Sequence, residues 1–120
     1  MTTVAAVATA LVAILHLWFL VLEMFLWTKP AGLRTFGLAP DFARATAKLA
    51  ANQGLYNGFL AAGLLWGLLS GPAGYAVEFF FLGCVIIAGI FGAITAKRSI
   101  LWVQAVPGAV ALALVIASRA

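Results

Sequence analysis

The sequence contains very few charged residues. Only 8% of its 120 residues are Asp, Glu, Lys or Arg, and 66% are hydrophobic, whereas an ordinary soluble domain has about 25% charged and about 45–50% apolar residues. A soluble protein of this length would not have enough polar groups to cover its surface. The composition therefore predicts an integral membrane protein.

Histidine and cysteine are equally scarce. His16 and Cys84 are the only residues of their types, so an intrachain disulfide is excluded. A single histidine also falls short of the three or four ligands that zinc sites use. We therefore predict no metal and no other cofactor. The net charge of +4 is modest and its cations are spread along the chain, so nucleic acid is not a predicted partner.

Four apolar runs are separated by short polar segments. At about 20 residues per membrane crossing, they predict an all-α fold, a four-helix transmembrane bundle forming a single domain over residues 1–120. The predicted helices are 4–27, 41–69, 75–96 and 100–118, and residues 29–39 are expected to form a loop at the level of the lipid headgroups. The first run is longer than the apolar part of a signal peptide, which favours a retained helix.

The cations predict the orientation of the bundle. Four of the seven lie between the first and second helices or between the third and fourth. Arg44 and Lys48 lie in the first turns of the second helix, which are expected to project on the same side, and only Arg119 lies on the opposite side. Under the positive-inside rule, both basic connections are cytoplasmic and both termini are outside. We expect the bacterial inner membrane as the location and lipids as partners; the sequence leaves a homo-oligomer open.

Small residues recur at intervals of four in two of the predicted helices. Such stripes allow the backbones of membrane helices to approach closely. The two stripes are Gly54, Gly58 and Ala62 on the second helix, and Ala88, Gly92 and Ala96 on the third.

Two ionisable residues lie within the first predicted helix. Burying an ionisable side chain in a bilayer costs roughly 2.5–3.5 kcal/mol, so each requires a reason. His16 and Glu23 are seven residues apart, which places them on one helix face and about 10 Å apart along its axis. We predict that Glu23 and His16 are catalytic, Glu23 as general acid and His16 as base.

Polar residues of the other helices are predicted to reach the same depth. Asn52, Gln53, Tyr56 and Asn57 on the second helix and Gln104 on the fourth are the predicted substrate-binding residues. We expect His16, Glu23, Gln53, Tyr56, Asn57 and Gln104 to line one interior cavity. Interhelical hydrogen bonds that only hold the bundle together are the alternative explanation of this layer. Glu78, by contrast, is expected to be solvated at the membrane interface.

These motifs together resemble a known family. His16 and Glu23 on the first helix, the segment NQGLYNGFLA from Asn52 to Ala61, a glycine-rich third helix and Gln104 early in the fourth are similar to small bacterial and fungal four-helix membrane proteins known as a domain of unknown function. The resemblance covers nearly the whole chain. It implies a four-helix membrane fold and no established activity.

Three functions are compatible with these residues. The first is a cofactor-independent enzyme that acts by proton transfer on a small apolar substrate, through isomerisation, epoxide opening or cyclisation. The second is a proton-coupled exporter of small molecules with an architecture like that of the small multidrug resistance proteins, although the NQGLYNG segment is foreign to them. The third is a structural or assembly subunit of a membrane complex.

Overall fold

The computed structural model describes residues 2–119. Within this range the protein consists of helices and contains no strand, which confirms the predicted all-α fold class. A 3-10 turn, Gly71–Gly74, precedes α4, and a π-helical turn, Leu101–Ala105, precedes α5. The five α-helices are α1 Thr3–Met24, α2 Pro30–Phe36, α3 Pro40–Leu69, α4 Tyr75–Thr95 and α5 Val106–Ala117.

The short helix α2 lies in the segment predicted to be a loop. Pro30 is its first residue, and Gly37 ends it in the left-handed conformation (φ 64°), with its N–H donating to the carbonyl of Leu33. Proline at the first helical position and glycine just after the last turn are helix-boundary signals. The loop prediction for residues 29–39 is therefore wrong for most of the segment.

The first helix ends one turn earlier than predicted. α1 ends at Met24 rather than Trp27, and the amides of Phe25 and Leu26 both donate to the carbonyl of Val21. The chain then turns back so tightly that a Cβ on Gly32 would lie 2.0 Å from the Leu26 carbonyl oxygen. This close approach shows why α2 can begin so soon after α1.

Trp27 ties the segment between α1 and α3 to its neighbours. Its indole N–H donates to Thr46 Oγ1 at 3.0 Å, and its ring packs on Phe36 with 4.9 Å between the ring centroids. These two contacts connect α2 and the first half of α3. Because of these contacts, the side chain of Trp27 is half-buried.

Contacts divide the chain into two compact units whose boundaries fall within α1 and α3. Unit 1 is formed by the described residues up to Ala13 and those from Leu60 onward, and unit 2 is Ile14–Phe59. The buried core of unit 1 is drawn from α1, α3, α4 and α5. It consists of Ala5, Val12, Ala13, Leu64, Leu82, Val85, Ala111 and Val115.

In unit 1, glycines mark the closest backbone contacts. A Cβ on Gly89 would lie 2.5 Å from the Ala105 amide nitrogen, and one on Gly74 would lie 1.8 Å from the Gly67 carbonyl oxygen. In the small-residue stripe predicted on α4, Gly92 packs against the side chain of Ile100, whereas Ala96 is exposed. Gly89, outside that stripe, makes the closer approach.

In unit 2, the predicted stripe on α3 faces α1. A Cβ on Gly54 would lie 3.0 Å from Glu23 Cβ and 3.3 Å from the Leu20 carbonyl oxygen, and one on Gly58 would meet the side chain of Leu20. The two glycines therefore let α3 pack closely on the end of α1. Ala62, the third member of the stripe, is exposed and lies in unit 1.

Two helical segments in the described part of the chain are long and apolar enough to cross a membrane. They are Thr3–Met24 and Gly71–Thr95, and Leu101–Ala117 is apolar but shorter. α3 carries the polar residues Asn52–Asn57 in its middle, which lower its hydropathy. Membrane association therefore has weak support, and a bundle of four spanning helices stays a prediction.

Candidate functional site

The candidate site is centred on Glu23 and Asn57 in unit 2. Asn57 lies in the middle of α3 and is 7% exposed. Its Nδ2 donates a hydrogen bond to Oε1 of Glu23, which lies in the last turn of α1 and is half-buried. The structure therefore brings together two of the predicted site residues, 34 positions apart in the chain.

Gly54 makes this contact possible. It lies one turn before Asn57 on the same side of α3, and its missing side chain leaves room for the Cβ of Glu23 and for the side chain of Met24. Because α1 and α3 approach so closely here, the short Asn57 amide can reach the carboxyl of Glu23.

The hydrogen bond orients the carboxyl group. A carboxamide N–H donating to Oε1 leaves Oε2 as the oxygen that can carry a proton and deliver it to another molecule. A half-buried carboxyl held by one neutral donor is a suitable general acid or base, because its proton is shielded from bulk water. The arrangement is thus compatible with proton transfer.

His16 lies two turns before Glu23 on α1. Its side chain is fully buried, and its ring meets Phe19 edge to face with 5.3 Å between the centroids. The seven-residue separation corresponds to about 10 Å along the helix axis. A direct hydrogen bond between His16 and Glu23 is excluded by that distance, so proton transfer between them requires an intermediate molecule.

The other predicted residues of α3 lie on its outer side. Asn52, Gln53 and Tyr56 are exposed, and Asn52 Nδ2 donates to the Tyr56 hydroxyl at 3.1 Å. With about 100° of rotation per residue, Tyr56 is turned away from the buried stripe that includes Gly54 and Asn57. The expected place of Gln53 and Tyr56 in a shared interior cavity stays a prediction, as does the substrate-binding role of Asn52, since the chain itself leaves all three exposed.

Gln104, predicted to share this site, belongs to unit 1. It is half-buried in the π-helical turn Leu101–Ala105, which ends two residues before Pro107. Proline cannot donate a backbone hydrogen bond, and single π-helical turns are frequently found at functional sites. Its part in substrate binding stays a prediction.

Glu78 differs from the sequence-based expectation. It is fully buried in unit 1, whereas a solvated position at the interface is expected from the sequence, and neither of its carboxyl oxygens has a hydrogen-bond partner. The spacing Glu78, Leu82, Val85 and Gly89, which places all four on one face of α4, is the signal that indicates burial. All four residues are indeed buried.

An open apolar cleft lies in unit 1. It has a volume of about 340 Å³ and is lined by Trp66, Ala76, Val77, Phe80 and Phe81. In residues 2–119, no three His, Cys, Asp or Glu side chains are grouped closely enough to hold a metal ion.

Comparison with known proteins identifies the family. Residues 10–116 match DUF1304, described as a protein family of unknown function. The chain is also similar to the uncharacterised protein YpaA of Lactococcus lactis subsp. lactis (strain IL1403), with 26% identity over 106 residues, which cover 87% of this chain and 89% of that protein. No solved structure matches the chain significantly. Because the family match extends over most of its length, the chain belongs to the DUF1304 family.

Proposed function

We propose that this protein is an integral membrane enzyme that moves a proton on a small apolar substrate without a cofactor. Its setting is a single domain of four spanning helices, α1, α3, α4 and α5, with both termini outside the bacterial inner membrane. The enzymatic part of the proposal rests on the hydrogen bond from the buried Asn57 to Glu23, because this bond orients a carboxyl group within a largely apolar chain.

The outer surface of the helices supports a membrane setting. Large apolar side chains on α1 and α4 are exposed over more than half of their area: Leu11, Ile14, Phe80, Ile87 and Phe91 are 59–70% exposed. Soluble monomers rarely expose apolar surfaces of this extent. Lipid would cover these side chains, and the positions of the cations would then set the orientation.

Isomerisation is the reaction that these groups support most simply. In the proposed step Glu23 Oε2 gives its proton to one carbon of an unsaturated substrate, and His16 takes a proton from a second carbon of the same π system. The double bond shifts between them, so the substrate gains and loses one proton. The proton then returns from His16 to Glu23 through an intervening water molecule, because the two groups are too far apart for direct transfer, and the reaction consumes no oxidant or reductant.

The spacing along α1 suits a small substrate. The two groups stand about 10 Å apart along the helix axis, a distance that a short unsaturated chain can span. Because His16 is fully buried, the substrate reaches it only when the helix packing around His16 opens locally. Asn57 fixes Glu23 at one end of this path.

Comparison of membrane extracts tests the chemistry. Cells that express the wild type should show a changed ratio of two isomeric compounds that are separated by liquid chromatography and detected by untargeted mass spectrometry, and cells that express Glu23→Gln should not. The matched control is Asp41→Asn, since Asp41 is exposed and pairs with Arg44; this variant should retain activity. Equal extracts from wild type and Glu23→Gln would contradict the enzymatic proposal.

Cysteine labelling tests the membrane setting separately. In a Cys84→Ala background, Arg34→Cys and Ala73→Cys each introduce one thiol at an exposed position. A membrane-impermeant maleimide applied to intact cells should label Ala73→Cys and should reach Arg34→Cys only after the cells are opened. Labelling of Arg34→Cys in intact cells would overturn the proposed orientation.

A further inference from the structure

Glu78 is a buried acid that the proposed reaction does not use. It lies in the first turn of α4, its side chain is 0% exposed, and both carboxyl oxygens lack a hydrogen-bond partner. Buried carboxylates are normally paired or hydrogen-bonded, because an isolated charge is strongly disfavoured away from water. Glu78 therefore requires an explanation of its own.

The packing around Glu78 is close and is built from glycine. A Cβ on Gly67 would lie 2.5 Å from Glu78 Cγ and 3.1 Å from the Glu78 amide nitrogen. Gly67 also meets Gly74 backbone to backbone. The side chain of Glu78 thus fills the space that Gly67 leaves at the crossing of α3 and α4.

The neighbouring elements of unit 1 supply no ionisable side chain to Glu78. Residues 2–13 of the N-terminal segment, 60–69 of α3, the turn Gly71–Gly74 and residues 101–117 contain no Asp, Glu, Lys, Arg, His, Cys or Tyr. On α4 itself, Tyr75 and Cys84 are the other ionisable residues. The cationic side chains of unit 1 are therefore confined to the far end of α4 and to Arg119.

None of these three cations is placed as a counter-ion in the described part of the chain. The N-terminal amine does attract the Glu78 carboxylate electrostatically, but burial disfavours the charged form more strongly, and neither carboxyl oxygen has a hydrogen-bond partner. Lys97 and Arg98 come roughly 28 Å further along the axis of α4. Arg119 is exposed, and its guanidinium lies 4.2 Å from the centre of the Tyr75 ring. The N-terminus of α4 favours a negative charge, but this effect is weak compared with the cost of burying a carboxylate that no donor reaches.

We infer that Glu78 is a second proton-binding site, located in unit 1, which holds a proton on its carboxyl group in the folded protein at neutral pH. A proton is the ligand that needs no further space at this tightly packed crossing, and it neutralises a buried carboxyl group that no hydrogen-bond donor reaches. The inference does not depend on the reaction proposed for Glu23, since the two residues lie in different units.

Reaction with dicyclohexylcarbodiimide tests the inference. This apolar reagent adds to a protonated carboxyl group to form an O-acylisourea, which rearranges to a stable N-acylurea, so that all atoms of both reactants remain in the product. The full chain, purified in detergent and treated at neutral pH, should carry this adduct at Glu78 by peptide mass spectrometry. Asp41, which is exposed and paired with Arg44, provides the internal comparison and should remain unmodified.

Two variants separate protonation from ion pairing. Glu78→Gln should lose the adduct, and Arg119→Gln should form it at Glu78 to the same extent as the wild type. If Arg119 were the counter-ion, Glu78 would be unreactive in the wild type and would become reactive in Arg119→Gln, which would overturn the inference.

Infrared spectroscopy gives a second test on the wild-type protein. The difference between wild type and Glu78→Gln should contain the C=O stretch of a protonated carboxylic acid at neutral pH. A carboxylate band in its place, or an unmodified Glu78 in folded wild-type protein, would refute the proton-binding site.

Discussion

Gly83 and Gly89 lie on the same helix, α4, but in opposite environments. A Cβ on Gly89 would lie 2.5 Å from the amide nitrogen, 2.7 Å from the Cβ and 2.8 Å from the Cα of Ala105. A Cβ on Gly83 would meet no atom within 4 Å. The two alanine substitutions therefore change the helix in the same way and differ only in what the new methyl group touches.

The expected magnitudes have opposite signs. Gly83→Ala should raise the free energy of unfolding by about 0.5–1 kcal/mol, because alanine loses less backbone entropy than glycine in a helix interior. Gly89→Ala has the same benefit in backbone entropy, but its methyl group forces the backbone of the π-helical turn outward. Overpacking of this kind costs about 1–3 kcal/mol. The Gly83 variant should be the more stable of the two.

Thermal unfolding in one detergent, followed by far-ultraviolet circular dichroism, measures the difference. Gly83→Ala should melt at or above the wild-type temperature, and Gly89→Ala should melt below it. Equal midpoints for the two variants would refute the packing of α4 on Ala105.

Two further substitutions test other contacts in unit 1. Thr9→Val should stabilise the protein by about 1 kcal/mol in the same melting assay. The hydroxyl of Thr9 is buried without a hydrogen-bond partner, and replacing it with a methyl group removes the free-energy cost of burying that polar group. Thr95→Val is the matched control, since its hydroxyl is exposed and donates to the Phe91 carbonyl; a gain equal to that of Thr9→Val would count against the burial argument. Gly74→Ala should destabilise by about 3 kcal/mol or more, because its Cβ would lie 1.8 Å from the Gly67 carbonyl oxygen, and wild-type melting would contradict that contact.

The sequence predicts the main helices of this fold well, because long apolar runs separated by Gly, Pro and charged residues leave few alternatives. The segment after α1 is harder to predict. Pro30 and Gly37 are helix-boundary signals, but the seven-residue helix between them is too short for a periodic apolar pattern to emerge. Its stability depends on contacts such as that of Trp27 with Phe36, which composition does not reveal.

The candidate site is predictable only in part. Polar side chains such as Glu23 and Asn57 are costly in free energy within an apolar segment, which identifies both residues as site candidates from the sequence. The small residue Gly54 explains how they meet. Helical periodicity alone does not tell which polar residues of α3 turn inward, because Gln53 and Asn57 differ by only about 40° around the helix. The spacing of Glu78 with Leu82 and Val85 places it on the buried face of α4, but its close contact with Gly67 is long-range, and no local pattern specifies that contact.

A double-mutant cycle on Glu23 and Asn57 tests the central claim most directly. The free energy of unfolding would be measured for wild type, Glu23→Leu, Asn57→Leu and the double variant in the same detergent. Each single change removes one partner of the hydrogen bond and leaves the other without it, so the double variant should lose less stability than the sum of the two. We predict a coupling energy of about 0.5–3 kcal/mol. Additive losses, with a coupling below about 0.3 kcal/mol, would show that the two side chains do not form the centre of the site.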